Sequence, residues 1–213
     1  GVVVQAALEA ARAGFLEHGD DASPVPEGPP SWSEAEAFEA ALLRGDQVRA
    51  LELMNRSLDD GHSLADFEQH VIQPSLYRIG EKWQNNTVTV AQEHMATAIV
   101  QSVMTIGLLR SPPPPPLGKR VLLACVQGNH HAVGPRMVCD AFQLTGWAVD
   151  YLGADVPTSS LVGHAVKGDF DLIGLSVSLP QQLHVAKDGI AQLSERMGAS
   201  RPPVIIAGIA INR

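Results

Sequence analysis

The chain has 213 residues, of which 45% are hydrophobic, so it can bury one large core or two modest ones. Its 23 acidic side chains outnumber 15 Lys and Arg, and this net charge of −8 argues against direct nucleic-acid binding, which normally needs a basic face. No apolar run reaches the ~20 residues of a membrane helix and the opening residues are a poor signal peptide, so we expect a cytoplasmic protein without a membrane partner.

The first 110 residues predict helices without strands. Residues 1–30 are expected to contain a helix over 1–19 and then a flexible linking segment. The following helices begin near Ser or Asp, and several of them stop at Gly. Short joints between amphipathic helices predict a four-helix bundle over residues 31–110. The helices expected in this bundle cover 31–45, 46–61, 63–83 and 89–109.

Two features of the later bundle helices lead to specific expectations. Pro74 should kink or split the third helix, because proline has no N–H to donate within a helix. The fourth helix should bury one stripe of residues at helical spacing. This predicted stripe consists of Ala91, Met95, Ala98, Ser102, Ile106 and Leu109.

A run of five prolines, Pro112 to Pro116, marks the predicted boundary between two domains. Such a run cannot be helical and favours a stiff polyproline segment. We therefore assign residues 111–118 to a Pro-rich linker. An α/β domain is expected over residues 119–213.

Apolar runs alternate with helical patterns after the linker, which predicts a doubly wound parallel sheet of the flavodoxin or Rossmann-like class. Four polar loops follow the expected strands, and the carboxyl ends of parallel strands meet at one rim, where ligands bind. The two cysteines, Cys125 and Cys139, are expected to be buried free thiols. The expected strands cover 119–126, 147–153, 171–177 and 202–209.

The loop after the first strand, "QGNHHAVG", determines which ligand is expected at the rim. It has only Gly128 and Gly134 with bulky histidines between them, so it does not match the G-x-G-x-x-G of a dinucleotide site. It also lacks the Ser and Thr donors of a phosphate-binding loop. The loop offers imidazole instead, which is a good ligand for a transition metal.

Asn129-x-His131-x-x-Gly134 resembles the D-x-H-x-x-G motif of cobalamin-binding domains. The resemblance implies that His131 coordinates cobalt from below while the displaced dimethylbenzimidazole tail enters the sheet. Asn129 replaces the motif's acid and is expected to orient His131 without raising its basicity by charge. His130 is expected to be a bystander, since only His131 has the motif's distance to Gly134.

The later loops resemble the same family's signatures in the same order. Ser176 and Ser178 in "LSVS" resemble the S-x-L stretch that meets the buried tail. Ala207–Gly208 resembles the paired glycines that leave space beside it. The stretch "LGADVP" resembles the second loop of the family and contributes Asp155 and Val156.

The bundle carries a second resemblance, to light-sensing cobalamin proteins of the CarH type. Trp83 stands ten residues before Glu93, which is followed by His94, a W-x9-E-H spacing. In that type a helical bundle caps the upper face of the corrin. The resemblance implies that Trp83 packs on the 5′-deoxyadenosyl group of adenosylcobalamin and that Glu93 bonds it. Helical spacing places Val90 and Thr97 on the face of Glu93, so Val90 is expected to line the same cap and His94 to steady Glu93. On the bundle alone, a Trp that fills the core and a solvated Glu-His pair would be the simpler interpretation.

Three departures from the CarH type are visible in the sequence. Gln84 stands where that type has the histidine that takes the upper position after photolysis, so His94, His184 or water would have to replace it. The resemblance also leads us to look for the basic helix-turn-helix that opens the family's chains, and from this acidic sequence we expect no such module. The chain also ends at "AGIAINR", where the family adds a helix, a strand and a helix, so the α/β domain is expected to be incomplete at its C-terminus.

These observations predict an adenosylcobalamin-dependent light sensor rather than an enzyme. Breakage of the cobalt–carbon bond by light would reposition the bundle and change contacts in a homo-oligomer or with a partner or fused output domain. A corrinoid methyl carrier of a methyltransferase system is the main alternative, and hydroxo- or methylcobalamin are alternative cofactors. A light-independent cobalamin-binding regulator is the third interpretation.

Overall fold

The computed structural model describes residues 31–112 and 114–208, which form two compact units. The helix and linker predicted over residues 1–30, and the last five residues, lie outside the described residues. In the described ranges, no helix has both the length and the hydropathy that crossing a bilayer requires.

The first unit is helical, and its helices begin and end close to the predicted positions. The sequence signals act as expected: Asp46 accepts from the Arg49 N–H, and Ser63 and Thr89 each begin a helix with a capping box. The elements are α1 (Glu34–Leu43), α2 (Gln47–Asp59), α3 (Leu64–Phe67), a π-helical turn (Glu68–Ile72), α4 (Gln73–Gln84) and α5 (Val90–Arg110).

Pro74 changes the helical pattern without interrupting the helix. It lies in the first turn of α4, directly after the π-helical turn Glu68–Ile72 that joins α3 to α4. A wider turn accommodates a residue that has no N–H to donate, so the predicted kink or split takes the form of a π-helical turn.

The core of the helical unit corrects the predicted stripe of α5. Phe38 and Phe67 meet edge to face in this core, with ring centroids 5.4 Å apart. Leu64 packs so closely on Gly107 that a Cβ added to Gly107 would lie 2.5 Å from the Cδ1 atom of Leu64. Gly107 and its neighbours, rather than the predicted stripe, therefore face the core. The buried residues of α5 are Ala96, Ile99, Val100, Val103, Met104 and Gly107.

The second unit contains a four-stranded parallel sheet in the order β2-β1-β3-β4. This confirms the predicted doubly wound α/β class. Helix α6 begins at Val133, and Pro135 is well accommodated in its first turn. The elements are β1 (Arg120–Cys125), α6 (Val133–Leu144), β2 (Ala148–Tyr151), α7 (Thr158–Lys167), β3 (Leu172–Ser176), α8 (Leu183–Met197) and β4 (Val204–Ala207).

Helices cover both faces of this sheet. Leu122 and Ala124 point to the face that packs against α7 and α8, whereas Val121 and Leu123 point to the face with Cys139 and Phe142 of α6. Both cysteines are buried and free, as predicted. The strand order reverses between β1 and β3, and such a switch point opens a crevice at the carboxyl ends of the strands.

Candidate cofactor site

The loop after β1 is fixed by main-chain geometry and by Asp155 from the next loop. Gly128 has a φ of +82°, a conformation that glycine adopts without strain. Its N–H donates to Oδ1 of Asp155 at 2.7 Å, and the Asp155 N–H donates back to the Asn129 carbonyl at 2.9 Å. These reciprocal bonds hold the "QGNHH" loop against the loop that follows β2.

Asn129 connects the predicted metal ligand to β3. Its side chain is completely buried, and its Oδ1 atom accepts the main-chain N–H of His131 at 3.1 Å and lies 3.3 Å from Nδ1 of that ring. Its Nδ2 donates to the carbonyl of Ser176 at 2.9 Å and lies 3.3 Å from the Ser176 hydroxyl. When Nδ1 of His131 donates to this amide oxygen, Nε2 is left unprotonated and able to bind a metal.

Two further side chains support the loop from β1 and β2, and the sequence analysis did not identify their contacts. The Tyr151 hydroxyl donates to the Ala132 carbonyl at 2.8 Å, and the Cys125 thiol donates to the His131 carbonyl at 3.8 Å. Burial raises the pKa of the Cys125 thiol to about 11 and also raises the pKa of Tyr151. Both groups therefore keep the protons that they donate at neutral pH.

Gln182 is another buried residue that the sequence analysis missed. Its Oε1 atom accepts the main-chain N–H groups of Ser178 and Leu179 at 3.0 and 3.1 Å, and its Nε2 donates to the Gly128 carbonyl at 2.7 Å. It thereby joins the loop after β3 to the loop after β1. Gln182 is the second of two glutamines after Leu179-Pro180, and nothing in the sequence alone distinguishes it from Gln181.

The remaining predicted residues of this unit lie at the same rim. Val156 is buried and its N–H donates to the Cys125 carbonyl at 3.2 Å. Gly208 follows β4 with a φ of +133°, and a Cβ at this position would lie 2.1 Å from the carbonyl oxygen of Val177. Ala207 accepts the Val177 N–H at 2.9 Å, and a Cβ at Gly134 would meet no atom within 4 Å. At this rim the backbone at Gly208 therefore lies close to that of Val177, whereas the space beside Gly134 is open.

The residues predicted for the upper face lie in the helical unit. Glu93 is held as expected, since Thr97 donates to its Oε1 at 3.0 Å and Nδ1 of His94 lies 2.5 Å from its Oε2. Trp83 is 46% exposed and Val90 is 52% exposed. A Trp that fills the bundle core, the simpler interpretation, is therefore wrong.

The few metal-binding side chains near the rim favour a metal ion whose other ligands are supplied by a cofactor. In residues 31–112 and 114–208, no group of three or more His, Cys, Asp or Glu side chains could hold a bare ion. His130 and His131 are both exposed on this fixed loop, and only His131 has the motif's distance to Gly134, so the loop offers one imidazole as the expected ligand. One such ligand suits a metal whose other positions are filled by a macrocycle, and the glycine-lined rim leaves room beside it.

Comparisons with known proteins agree with this donor set. Two family models, each described as a B12 binding domain, match residues 34–106 and 119–212. The chain is 30% identical over 182 residues to the HTH-type transcriptional repressor CarA of Myxococcus xanthus, covering 84% of this chain and 56% of that protein. It is 29% identical to the repressor CarH of the same organism, covering 82% of this chain and 57% of that protein. The chain thus spans little more than half the length of these two relatives.

Corrinoid proteins are also similar to the chain. A corrinoid protein of Desulfitobacterium hafniense is 23% identical over 79% of this chain and 80% of its own length. The structure of the monomethylamine corrinoid protein of Methanosarcina barkeri has a TM-score of 0.66 at 20% identity, covering 82% of this chain and 83% of that one. This structural similarity supports the α/β cobalamin-type fold described above.

Proposed function

This chain belongs to the B12-binding domain family, and on that premise we propose that it is the light-sensing module of an adenosylcobalamin-dependent regulator. The observation that carries the proposal is the half-exposed Trp83 close in sequence to a carboxylate held in place, Glu93, in a chain that also presents His131 at the rim of its sheet. The similarity to CarA and CarH, which extends over both units, supports it.

In this proposal the α/β unit holds the cobalt and the tail of the cofactor. His131 binds the metal through Nε2, and Asn129 fixes the plane of the ring from its buried position. Ser176 and Ser178 line the entrance for the tail, and Gly208, which has no Cβ, lets the end of β4 approach the Val177 carbonyl beside that entrance. Asp155 and Val156 hold the neighbouring loop in place.

The helical unit is proposed to recognise the upper ligand. Adenosylcobalamin supplies a corrin that absorbs visible light and a weak cobalt–carbon bond. Trp83 offers a flat apolar surface on which an adenine can stack, and Val90 offers a second exposed apolar side chain. Glu93 accepts hydrogen bonds from ribose hydroxyls, while Thr97 and His94 keep its carboxylate in one orientation.

The response to light follows from the exposure of these side chains. Trp83 and Val90 would be uncovered without the upper ligand, and reburying apolar surface stabilises by roughly 25 cal/mol per Å². That free energy favours a new contact with a second copy of the chain or with a partner protein. Gln84 has no imidazole, so α4 does not supply a second nitrogen ligand from this position.

A corrinoid methyl carrier is the second candidate function. It is favoured by the similarity to the Desulfitobacterium hafniense corrinoid protein, which extends over 80% of that protein. In this case the bound form would be methyl- or hydroxocobalamin, and Trp83 would have to leave the upper face accessible to a partner enzyme. A preference for adenosylcobalamin would therefore favour the light sensor over the methyl carrier. A response to the cofactor that does not require light would indicate a light-independent regulator.

The proposal is tested by loading the protein with adenosylcobalamin in darkness and recording its absorption spectrum and elution volume before and after green light. We expect both to change on illumination, and no change in either would contradict light sensing. His131→Ala should remove the spectrum of histidine-ligated, base-off cobalamin. The adjacent, equally exposed His130→Ala is the matched control and should keep that spectrum.

A further inference from the structure

The main chain directly after the His131 side chain accepts two hydrogen bonds, one from a buried thiol and one from a partly buried hydroxyl. The thiol of Cys125, the last residue of β1, donates to the His131 carbonyl at 3.8 Å. The hydroxyl of Tyr151, the last residue of β2, donates to the next carbonyl, that of Ala132, at 2.8 Å. The peptide that follows the proposed metal ligand is therefore fixed from two neighbouring strands.

Tyr151 also contacts the residue at which the helix after the loop begins. Ala132 is the N-cap residue of α6, and its carbonyl accepts the Arg136 N–H of the first turn at 3.0 Å as well as the Tyr151 hydroxyl. The carbonyl that closes the first turn of α6 is therefore also bonded to β2, which ties the residue directly after His131 to the sheet.

We propose that Tyr151, assisted by Cys125, is a positioning residue for His131: it holds the loop so that the imidazole is already aimed at the metal before the cofactor binds. This inference rests on the proposed cobalamin-binding function and adds a residue to its machinery. A loop that is ordered in advance loses less entropy when it coordinates a metal, so removing the tether weakens coordination rather than the chemistry of the ring.

The hydroxyl can be separated from the packing of the ring. Tyr151 packs against the cluster that contains Phe142 and Trp147, and a phenylalanine in its place keeps that packing. Tyr151→Phe therefore removes the hydroxyl, with its hydrogen bond to the Ala132 carbonyl and its interaction with the Cys125 thiol, and keeps the packing of the ring. The chain has one other tyrosine, Tyr77, which is 55% exposed in the helical unit, so Tyr77→Phe is a matched control.

The experiment is a double-mutant cycle between Tyr151 and His131, read by titration of the protein with aquocobinamide. This corrinoid has no nucleotide tail, so nitrogen coordination to its cobalt comes from the protein alone. We expect Tyr151→Phe to raise the dissociation constant of aquocobinamide about fivefold, which is the effect of one hydrogen bond of ordinary strength. In the His131→Ala background the same change should have no effect, and Tyr77→Phe should have none in either background.

Each other outcome has a defined meaning. If Tyr151→Phe weakened cobinamide binding equally in both backgrounds, Tyr151 would support only the fold. If it weakened binding in neither background, the hydrogen bond to Ala132 would be irrelevant to coordination. Either result would overturn the inference. If His131→Ala itself left the cobinamide spectrum unchanged, the ligand assignment of the proposed function would fail instead. Should Tyr151→Phe not fold, Cys125→Ala removes the second tether, and the same cycle then decides the inference.

Discussion

Asn129 and Ser176 are joined by a hydrogen bond that an amide can donate and a carboxylate cannot: Nδ2 of Asn129 lies 2.9 Å from the main-chain carbonyl oxygen of Ser176. At the same time its Oδ1 atom accepts the His131 N–H at 3.1 Å. The buried Asn129 side chain therefore donates a hydrogen bond to β3 and accepts one from the loop after β1. The asparagine that replaces the acid of the D-x-H-x-x-G motif thus matches the hydrogen-bonding groups around it.

This relationship predicts the effect of restoring the acid. Asn129→Asp would place two acceptor oxygens beside the Ser176 carbonyl and bury a charge, so we expect the free energy of unfolding to fall by about 1–3 kcal/mol at pH 8. Burial raises the pKa of such a carboxyl, so the deficit should shrink as the pH is lowered and the group takes up a proton. Urea unfolding of the apoprotein at pH 8 and pH 5 measures both effects.

The exposed Asn85 provides the control for this change of charge. Asn85→Asp adds the same charge at the C-cap of α4, where a negative charge costs only about 0.3–1 kcal/mol and is screened by salt. A stability of Asn129→Asp equal to that of the wild type at pH 8 would show that the bond to Ser176 contributes little.

The helical pattern could be predicted from the sequence more reliably than the face that each helix buries. Ser63 and Thr89 mark the starts of helical segments, because the cap depends only on residues nearby in the chain. The buried face of α5 depends on what packs against it from α1, α2, α3 and α4. Since Ala, Gly and Ser fit both a core and a surface, the apolar spacing of α5 did not distinguish its buried side from its exposed side.

The same distinction applies to the candidate site. Asn129 and His131 could be identified because they stand two residues apart in a loop that resembles a known motif. Tyr151 and Gln182 could not, since they bind main-chain carbonyls 19 and 54 residues away and neither residue type is diagnostic of such a contact. Hydrogen bonds that depend on the strand order become visible only once the sheet is known.

The exposure of Trp83 predicts that it acts on a ligand and not on the fold. Trp83→Ala should change the free energy of unfolding of the apoprotein by less than about 1 kcal/mol, since the ring is 46% exposed. It should reduce the preference for adenosylcobalamin over hydroxocobalamin about tenfold, because a stacking partner for the adenine is lost. Competitive titration with the two cobalamins in darkness measures that preference.

Trp147 is the matched control for Trp83. Its ring packs edge to face on the buried Phe142, with centroids 5.2 Å apart, so Trp147→Ala should cost about 2–4 kcal/mol of stability. Its preference between the two cobalamins should be unchanged under conditions where it remains folded. A Trp83→Ala protein that kept the full preference for adenosylcobalamin would argue against the proposed contact with the upper ligand.

The buried carboxylate of Glu39 ties α1 to the end of α4 that carries Trp83. It accepts from Nε of Arg78 at 2.5 Å and from Nζ of Lys82. Burial alone raises the pKa of Glu39, but the hydrogen bonds and positive charges of Lys82 and Arg78 outweigh burial, and its pKa lies below the ordinary value. A depressed pKa contributes stability above the ordinary glutamate value of about 4.3, and this contribution is lost as the pH falls through the lower, folded-state pKa.

We therefore expect Glu39→Gln to lower the free energy of unfolding by about 1–3 kcal/mol at pH 7, with the deficit shrinking below pH ~4. Chemical unfolding at pH 7 and pH 3.5 tests this dependence. The control is Glu52→Gln, since Glu52 makes an exposed ion pair with Arg49 that is worth no more than about 0.5 kcal/mol. A deficit that persisted unchanged at pH 3.5 would assign the effect of Glu39 to packing instead of charge.

We expect Gly208 to be required for the fold itself, independently of any contact with the cofactor tail. Its φ of +133° and the 2.1 Å separation between a built Cβ and the Val177 carbonyl oxygen mean that Gly208→Ala must displace the end of β4 or the loop after β3. The free energy of unfolding should fall by about 1–3 kcal/mol. Gly163→Ala in α7, where a Cβ meets no atom within 4 Å, should instead raise it by about 0.5–1 kcal/mol.

Cobalamin binding separates strain at Gly208 from a role beside the tail. If the glycine also leaves space for the tail, Gly208→Ala should weaken binding of intact cobalamin more than binding of tail-less cobinamide, because only the former needs that space. Equal weakening for the two corrinoids would mean that the substitution acts through the displaced strand end alone. Because Gly163→Ala alters neither the rim nor the loops, it should bind both corrinoids as the wild type does.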